Sequence, residues 1–123
     1  MKCPKCSHPM EKVTYENIEV DRCSSCGGIW FDMLEAEHLK SLEGSETIDV
    51  GDPEKGELYD EMVKIDCPVC HTRMIPMGDS GQSDIRFESC KVCYGVFFDA
   101  GEFKDFKRKT VLDFLGDLMA GDK

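Results

Sequence analysis

Several things are scarce in this sequence of 123 residues. No apolar run approaches the roughly 20 residues needed to span a bilayer, and nothing near Met1 resembles a signal peptide, because Met1-Lys2 leads straight into Cys3. A soluble, cytoplasmic chain is expected, with no membrane contact. Positive charge is also in short supply. Fifteen Lys and Arg face twenty-five Asp and Glu, for a formal net charge of −10, and such a field repels phosphate backbones. Residues 44–66 alone carry two basic and eight acidic side chains, so the excess is concentrated in the middle. Histidine, the commonest partner of cysteine in mixed metal sites, occurs three times, and tryptophan once.

Cysteine is the exception, with eight residues grouped as four Cys-x-x-Cys pairs. In a reducing compartment that grouping favours metal thiolates over disulfides. The sequence also repeats itself. "CPKC" at Cys3 aligns with "CPVC" at Cys67, and "CSSCGGIWFDMLE" from Cys23 aligns with "CKVCYGVFFDAGE" from Cys90. One three-residue insertion in the second copy then matches Met10 with Met74, Ile18 with Ile85, Val20 with Phe87, Trp30 with Phe97, Phe31 with Phe98, Asp32 with Asp99 and Glu35 with Glu102. The insertion falls in the Gly/Ser/Asp-rich "MGDSGQSD", which reads as a lengthened hairpin loop, while the first copy turns around Glu16-Asn17. Val13, Tyr15, Ile18 and Val20 alternate as hairpin strands do, and "GIWF" and "GVFF" supply a third short strand per copy.

Zinc prefers four tetrahedral thiolates, and two residues between cysteines let one tight turn offer both sulfurs to one ion. Cys3 and Cys6 are therefore paired with Cys23 and Cys26 around one zinc, and Cys67 and Cys70 with Cys90 and Cys93 around a second. The gaps between pairs, 16 and 19 residues, suit a hairpin-built ribbon, and each site closes within its own repeat. Pro4 and Pro68 fix φ in the first turn, and Gly27, Gly28 and Gly95 are expected to give backbone freedom after the second. Trp30, Phe31, Phe97 and Phe98 give each small sheet its aromatic area. Asp32-x-x-Glu35 and Asp99-x-x-Glu102 read as capping boxes that start a helix after each ribbon, rather than as catalytic carboxylates. His8 and His71 are read as polar turn residues, His38 as a helix-surface residue, and Met10, Met74 and Met77 as core fillers rather than ligands.

These motifs resemble the TFIIB-type zinc-ribbon finger (zf-TFIIB), with "CPKC…CSSCGGIWFDMLE" as one copy over residues 3–39 and "CPVC…CKVCYGVFFDAGE" as a more divergent one over 67–106. Tyr94 stands where the family prefers glycine. The resemblance implies zinc on all eight cysteines and a link to transcription, though the family name records likeness to a transcription-factor ribbon rather than a shared activity.

The expected architecture is a small metal-stabilised α+β fold: two tandem zinc ribbons, each a short antiparallel hairpin plus a third strand, each followed by a helix. The first occupies residues 1–43 and the second 67–123. Between them, residues 44–66 read as an acidic linker, a solvated tether whose apolar "ELYDEMV" is available to dock on a ribbon or form a short helix. After the second ribbon, "FKDFKRKTVLDFLGDLMAG" continues as a longer amphipathic helix. Its Val111, Leu112, Phe114, Leu115, Leu118 and Met119 spread over roughly 160° of arc at about 100° per residue. That is more apolar surface than a forty-residue ribbon covers. Pairing with a second copy or a partner is expected, with folding back on the first ribbon or the linker as the alternative.

Four-sulfur sites leave no open position for an activated water, so no enzyme is expected. The leading functional expectation is a non-enzymatic adaptor for a protein partner. A nucleic-acid-binding transcription regulator is the alternative, supported by the basic run from Lys104 to Lys109 and opposed by the net charge. A thiol redox or zinc sensor is the third reading, suggested by Cys-Pro-x-Cys but lacking the βαβ context of a thioredoxin-like site.

Overall fold

The computed structural model describes residues 1–60, 64–78 and 86–107. The inserted loop of the second hairpin and the tail from residue 108 onward, including the expected amphipathic helix, lie outside the described residues.

Each repeat folds as its pattern requires. In the first, β1 (Met10–Tyr15) turns through Glu16-Asn17, both at positive φ, into β2 (Ile18–Cys23), with Val13 opposite Val20. A third strand, β3 (Ile29–Phe31), adds to β2, and a six-residue helix, α1 (Glu35–Lys40), follows. In the second, β4 (Ile75–Gly78) and β5 (Arg86–Ser89) pair with Met77 opposite Phe87, which is the register that the alignment of Val13 with Met77 and Val20 with Phe87 demands. The third strand, β6 (Val96–Phe98), lies on β5, and helical residues 102–107 follow.

The repeats do not stay separate. Strand β3 pairs antiparallel with β6, which makes one six-stranded sheet of order β1-β2-β3-β6-β5-β4. The register joins Ile29 to Phe98, Trp30 to Phe97 and Phe31 to Val96. Since Trp30 and Phe97 are equivalent positions of the two repeats, an approximate twofold axis passes between them. The edge that each ribbon would otherwise expose is closed by the other.

Alternation along β3 and β6 sends neighbouring side chains to opposite faces. Trp30 and Phe97 join both cysteine sets, Met74 and Ile65 in a buried cluster on one face. Ile29, Phe31 and Phe98 join Val20, Ala36, Leu39, Ile48 and Phe103 on the other, beneath the helices. The aromatics expected to fill two small cores therefore build shared ones, with Phe31 and Phe98 edge-to-face at 5.5 Å. Met74 is buried and Met10 half-buried as expected, but Met77 is 44% exposed, a correction to its reading as core filler.

The segment between the repeats is packed rather than a solvated tether. A 3-10 turn, Ser45–Ile48, buries Ser45 and Ile48, and a second helix, α2 (Pro53–Asp60), follows. Asp49 is buried, and its two carboxylate oxygens accept from the Gly101 and Lys104 amides at 2.9 and 3.1 Å. Thus Asp49 of the connection caps the helical residues 102–107, and the Asp99 backbone carbonyl accepts from the Glu102 amide. In the first copy half of the expected box forms: Glu35 accepts from the Asp32 amide, while the Asp32 carboxylate accepts from the Trp30 indole at 3.1 Å. No helix among the described residues is long and apolar enough to cross a membrane.

Candidate metal centres

Each cysteine pair sits on a tight turn whose backbone is set by the local sequence. Pro4 and Pro68 start the first turn of each site, which closes through the Cys3 amide to the His8 carbonyl and the Cys67 amide to the Thr72 carbonyl, both at 2.8 Å. The second turns close from Cys23 to Gly28 at 2.7 Å and from Cys90 to Gly95 at 2.9 Å. Backbone amides point at the sulfurs: Ser25 and Cys26 donate to Cys23 Sγ, Val69 and Cys70 to Cys67 Sγ, and Val92 and Cys93 to Cys90 Sγ, at 3.2 to 3.5 Å. Such donors stabilise a thiolate over a thiol.

The structure gathers Cys3, Cys6, Cys23 and Cys26 into one set and Cys67, Cys70, Cys90 and Cys93 into another, with the four sulfurs of each set within 4.8 Å of one another. Tetrahedral thiolates at about 2.3 Å from zinc stand about 3.8 Å apart. Cys3 and Cys26 lie at 3.7 Å, Cys67 and Cys93 at 3.7 Å, and Cys6 and Cys23 at 3.3 Å, so the donor sets fit the ion. All eight cysteines are free of disulfides. Each set can hold one zinc, which would supply a structural cross-link between its two turns. In the thiol form the sulfurs compete for protons: a hydrogen bond from Cys3 brings Cys26 down to about 5, while that same bond and burial push Cys3 up. At the second site burial pushes Cys93 up to about 12. Cys90 is also desolvated, yet the amides of Cys93 and Val92 and the Thr72 hydroxyl bring it down to about 6.

The histidines are not needed as ligands. His8 and His71 are exposed, with His8 Nδ1 at 3.4 Å from Cys6 Sγ. Just after the turns, Gly27 supplies the backbone freedom expected of it, whereas Gly28 and Gly95 do not. Gly27 has φ +80°, and Tyr94, its equivalent, holds the same left-handed conformation at φ 63°. Gly28 and Gly95 are required by close approach instead: a Cβ on Gly28 would lie 2.3 Å from the Phe97 ring, and one on Gly95 would lie 2.3 Å from the Trp30 ring. The aromatic of each repeat rests on the glycine of the other.

The family described as transcription factor zinc-finger matches residues 2–42 and 66–109, two tandem copies that take in both cysteine sets. The chain belongs to this family. Comparison with curated proteins and with solved structures finds no match.

Sequence reasoning missed one residue beside these zinc-finger centres. Lys5, between Cys3 and Cys6, is buried, and its ammonium donates to Asp99 at 2.6 Å and the Tyr59 carbonyl at 2.8 Å and pairs with Glu88 at 3.1 Å. It also lies 5.8 Å from the centre of the Phe97 ring. The turn that holds the first set is thereby bolted to β5 and β6 of the second repeat. The only sequence signal was asymmetry, since the second copy has Val69 at that position.

Proposed function

We propose that this zinc-finger protein is a non-enzymatic scaffold that presents a rigid, zinc-stapled surface to a protein partner in a transcription setting. The observation that carries the reading is the surface at the second centre. Val69 and Val92, at the tips of its two turns, are 48% and 56% exposed, with the exposed Lys91 beside Val92. Apolar side chains held rigidly at a surface suit a protein contact. Using all four sulfurs of each set for structure supports a role without catalysis.

Nucleic-acid binding is the second reading, and the family description and exposed Lys104 favour it. Two of its basic residues are engaged elsewhere. Lys5 is committed to buried carboxylates, and Lys107 donates to the Leu42 carbonyl and Glu46 at 2.7 and 2.6 Å. The test compares zinc-loaded protein with the Val69→Asp/Val92→Asp double variant in capture from cell extract, after metal content has confirmed that both carry zinc. Partners lost with the variant support the scaffold. Partners retained by the variant, or DNA or RNA binding that falls steeply between low and moderate salt, overturn it in favour of the second reading.

A further inference from the structure

The approximate twofold axis gives one groove of the fold a twin, and the two are not alike. In the first, residues 48–51 of the connection lie against residues of both repeats. Ile48 packs with Val20, Ile29 and Phe103, its carbonyl accepts from Arg22 at 2.9 Å, and the Asp49 carboxylate accepts from the Gly101 and Lys104 amides. Gly51 reaches backbone contact, since a Cβ there would lie 2.7 Å from that of Ala100 and 2.8 Å from Gly27 Cα.

The twin is a concavity of about 540 Å³ lined by Met33, Leu34, Met77, Phe87, Tyr94 and Val96, with the exposed Asp32 and Glu37 at its rim. Met33 and Leu34 come from the first repeat and the other four from the second, so the groove exists only in the joined sheet. Met33, Leu34, Met77 and Tyr94 are 53%, 66%, 44% and 61% exposed, a density of large apolar surface that monomers seldom leave bare.

Two of these exposed side chains stand where the backbone calls for glycine. The first groove has Gly27 at φ +80° and Gly101 at φ +88°, and the equivalent positions of the twin are Tyr94 at φ 63° and Leu34 at φ 69°. Glycine adopts this left-handed conformation freely, whereas an L side chain is strained in it. Tyr94 and Leu34 are therefore both strained and turned to solvent, a combination that serves neither the backbone nor the core. Strain retained in this way marks binding sites more than framework. The rim charge is also reversed. In the first groove the occupant brings Asp49 beside Lys104, whose charge favours the carboxylate. Glu37 is the equivalent of Lys104, and no basic residue is among the described residues that line the twin.

We propose that the twin groove, between Leu34 and Tyr94, docks a short extended segment of a protein partner that carries bulky apolar side chains beside a Lys or Arg. The apolar side chains enter against Phe87 and Val96, as Ile48 does against their equivalents Val20 and Ile29, and the cation meets Glu37 and Asp32. The assignment rests on the scaffold reading and adds to it a surface that does not include Val69 or Val92.

The test selects ligands for the zinc-loaded full chain from a random peptide library displayed on phage, then measures a synthetic peptide of the selected sequence by fluorescence anisotropy. Enriched peptides share bulky apolar residues next to Lys or Arg, and selection on Glu37→Lys moves that preference to Asp or Glu. The Leu34→Gly/Tyr94→Gly double variant, with both zincs bound and a thermal midpoint no lower than the parent's, binds the peptide at least about tenfold more weakly. Unchanged binding, or a midpoint below the parent's, assigns the two side chains to the fold and overturns the proposal. So does a selection with no basic preference. Methionine-methyl NMR of the full chain without peptide addresses the other occupants: contacts from Met33 or Met77 to residues 108–123, or to a second copy in mixed-label samples, mean that the groove is already filled and sink the assignment. Peptide binding that is lost in Val69→Asp/Val92→Asp but kept in the double glycine variant overturns the groove alone and leaves the scaffold reading standing.

Discussion

Lys5 shows how much one side chain does at the junction of the repeats. Its ammonium is fully buried against the Glu88 and Asp99 carboxylates. Removing one member of a buried ionic group leaves charge without compensation, which typically costs about 3–5 kcal/mol. Lys5→Met is therefore expected to lower the unfolding midpoint sharply with both zincs still bound, as read by denaturant titration alongside metal analysis; an unchanged midpoint would mean that the pair adds nothing. Gly95 belongs to the same junction. A methyl there must displace the buried Trp30 ring, 2.3 Å away, and overpacking of this kind costs about 1–3 kcal/mol. Gly95→Ala should lower stability by that amount and shift the near-ultraviolet signal of the single tryptophan. Neither role was legible from sequence, because a lysine in a turn and a glycine after it have ordinary local explanations. Only the partner repeat supplies the reason.

Among the elements, those set by local pattern were legible and those set by pairing were not. The hairpins, their register and the cysteine turns follow from alternation, turn residues and two-residue spacing, all of which act over a few positions. Strands β3 and β6 have three residues each, too few to specify a partner, so their union into one sheet had no sequence signature. The connection was misread for a related reason: its charge suggested solvation, yet Ile48 is buried among residues of both repeats and Asp49 is buried against the second. Asp49 makes the point quantitatively. Burial pushes its carboxyl above the usual range, against two amide hydrogen bonds that favour the charged form. Asp49→Ala loses both bonds and orphans two amides, a cost of about 1–3 kcal/mol. Asp49→Asn keeps an acceptor without a buried charge and should lose less. Thermal melts of the two variants that coincide would rule out this capping role.

At the scale of the whole molecule, two metal sites that close within their own repeats share one sheet and one buried cluster. Sequence alone suggested independent units, in which losing one metal leaves the other untouched. The joined sheet leads to a different expectation. Cys26→Ser should empty the first centre and also weaken the second, by a coupling of about 1–2 kcal/mol, or roughly tenfold in zinc affinity. A chelator titration of the variant reads this directly, and an unaltered second site would restore the picture of separate units. The central claim is that the fold is held by two closed four-sulfur zinc centres, each contributing folding free energy on the order of 10 kcal/mol. Native mass spectrometry of the chain refolded with excess zinc tests it most directly. The account predicts a single dominant species carrying two zinc ions per chain; a plateau at one zinc, or a folded chain carrying none, would contradict it.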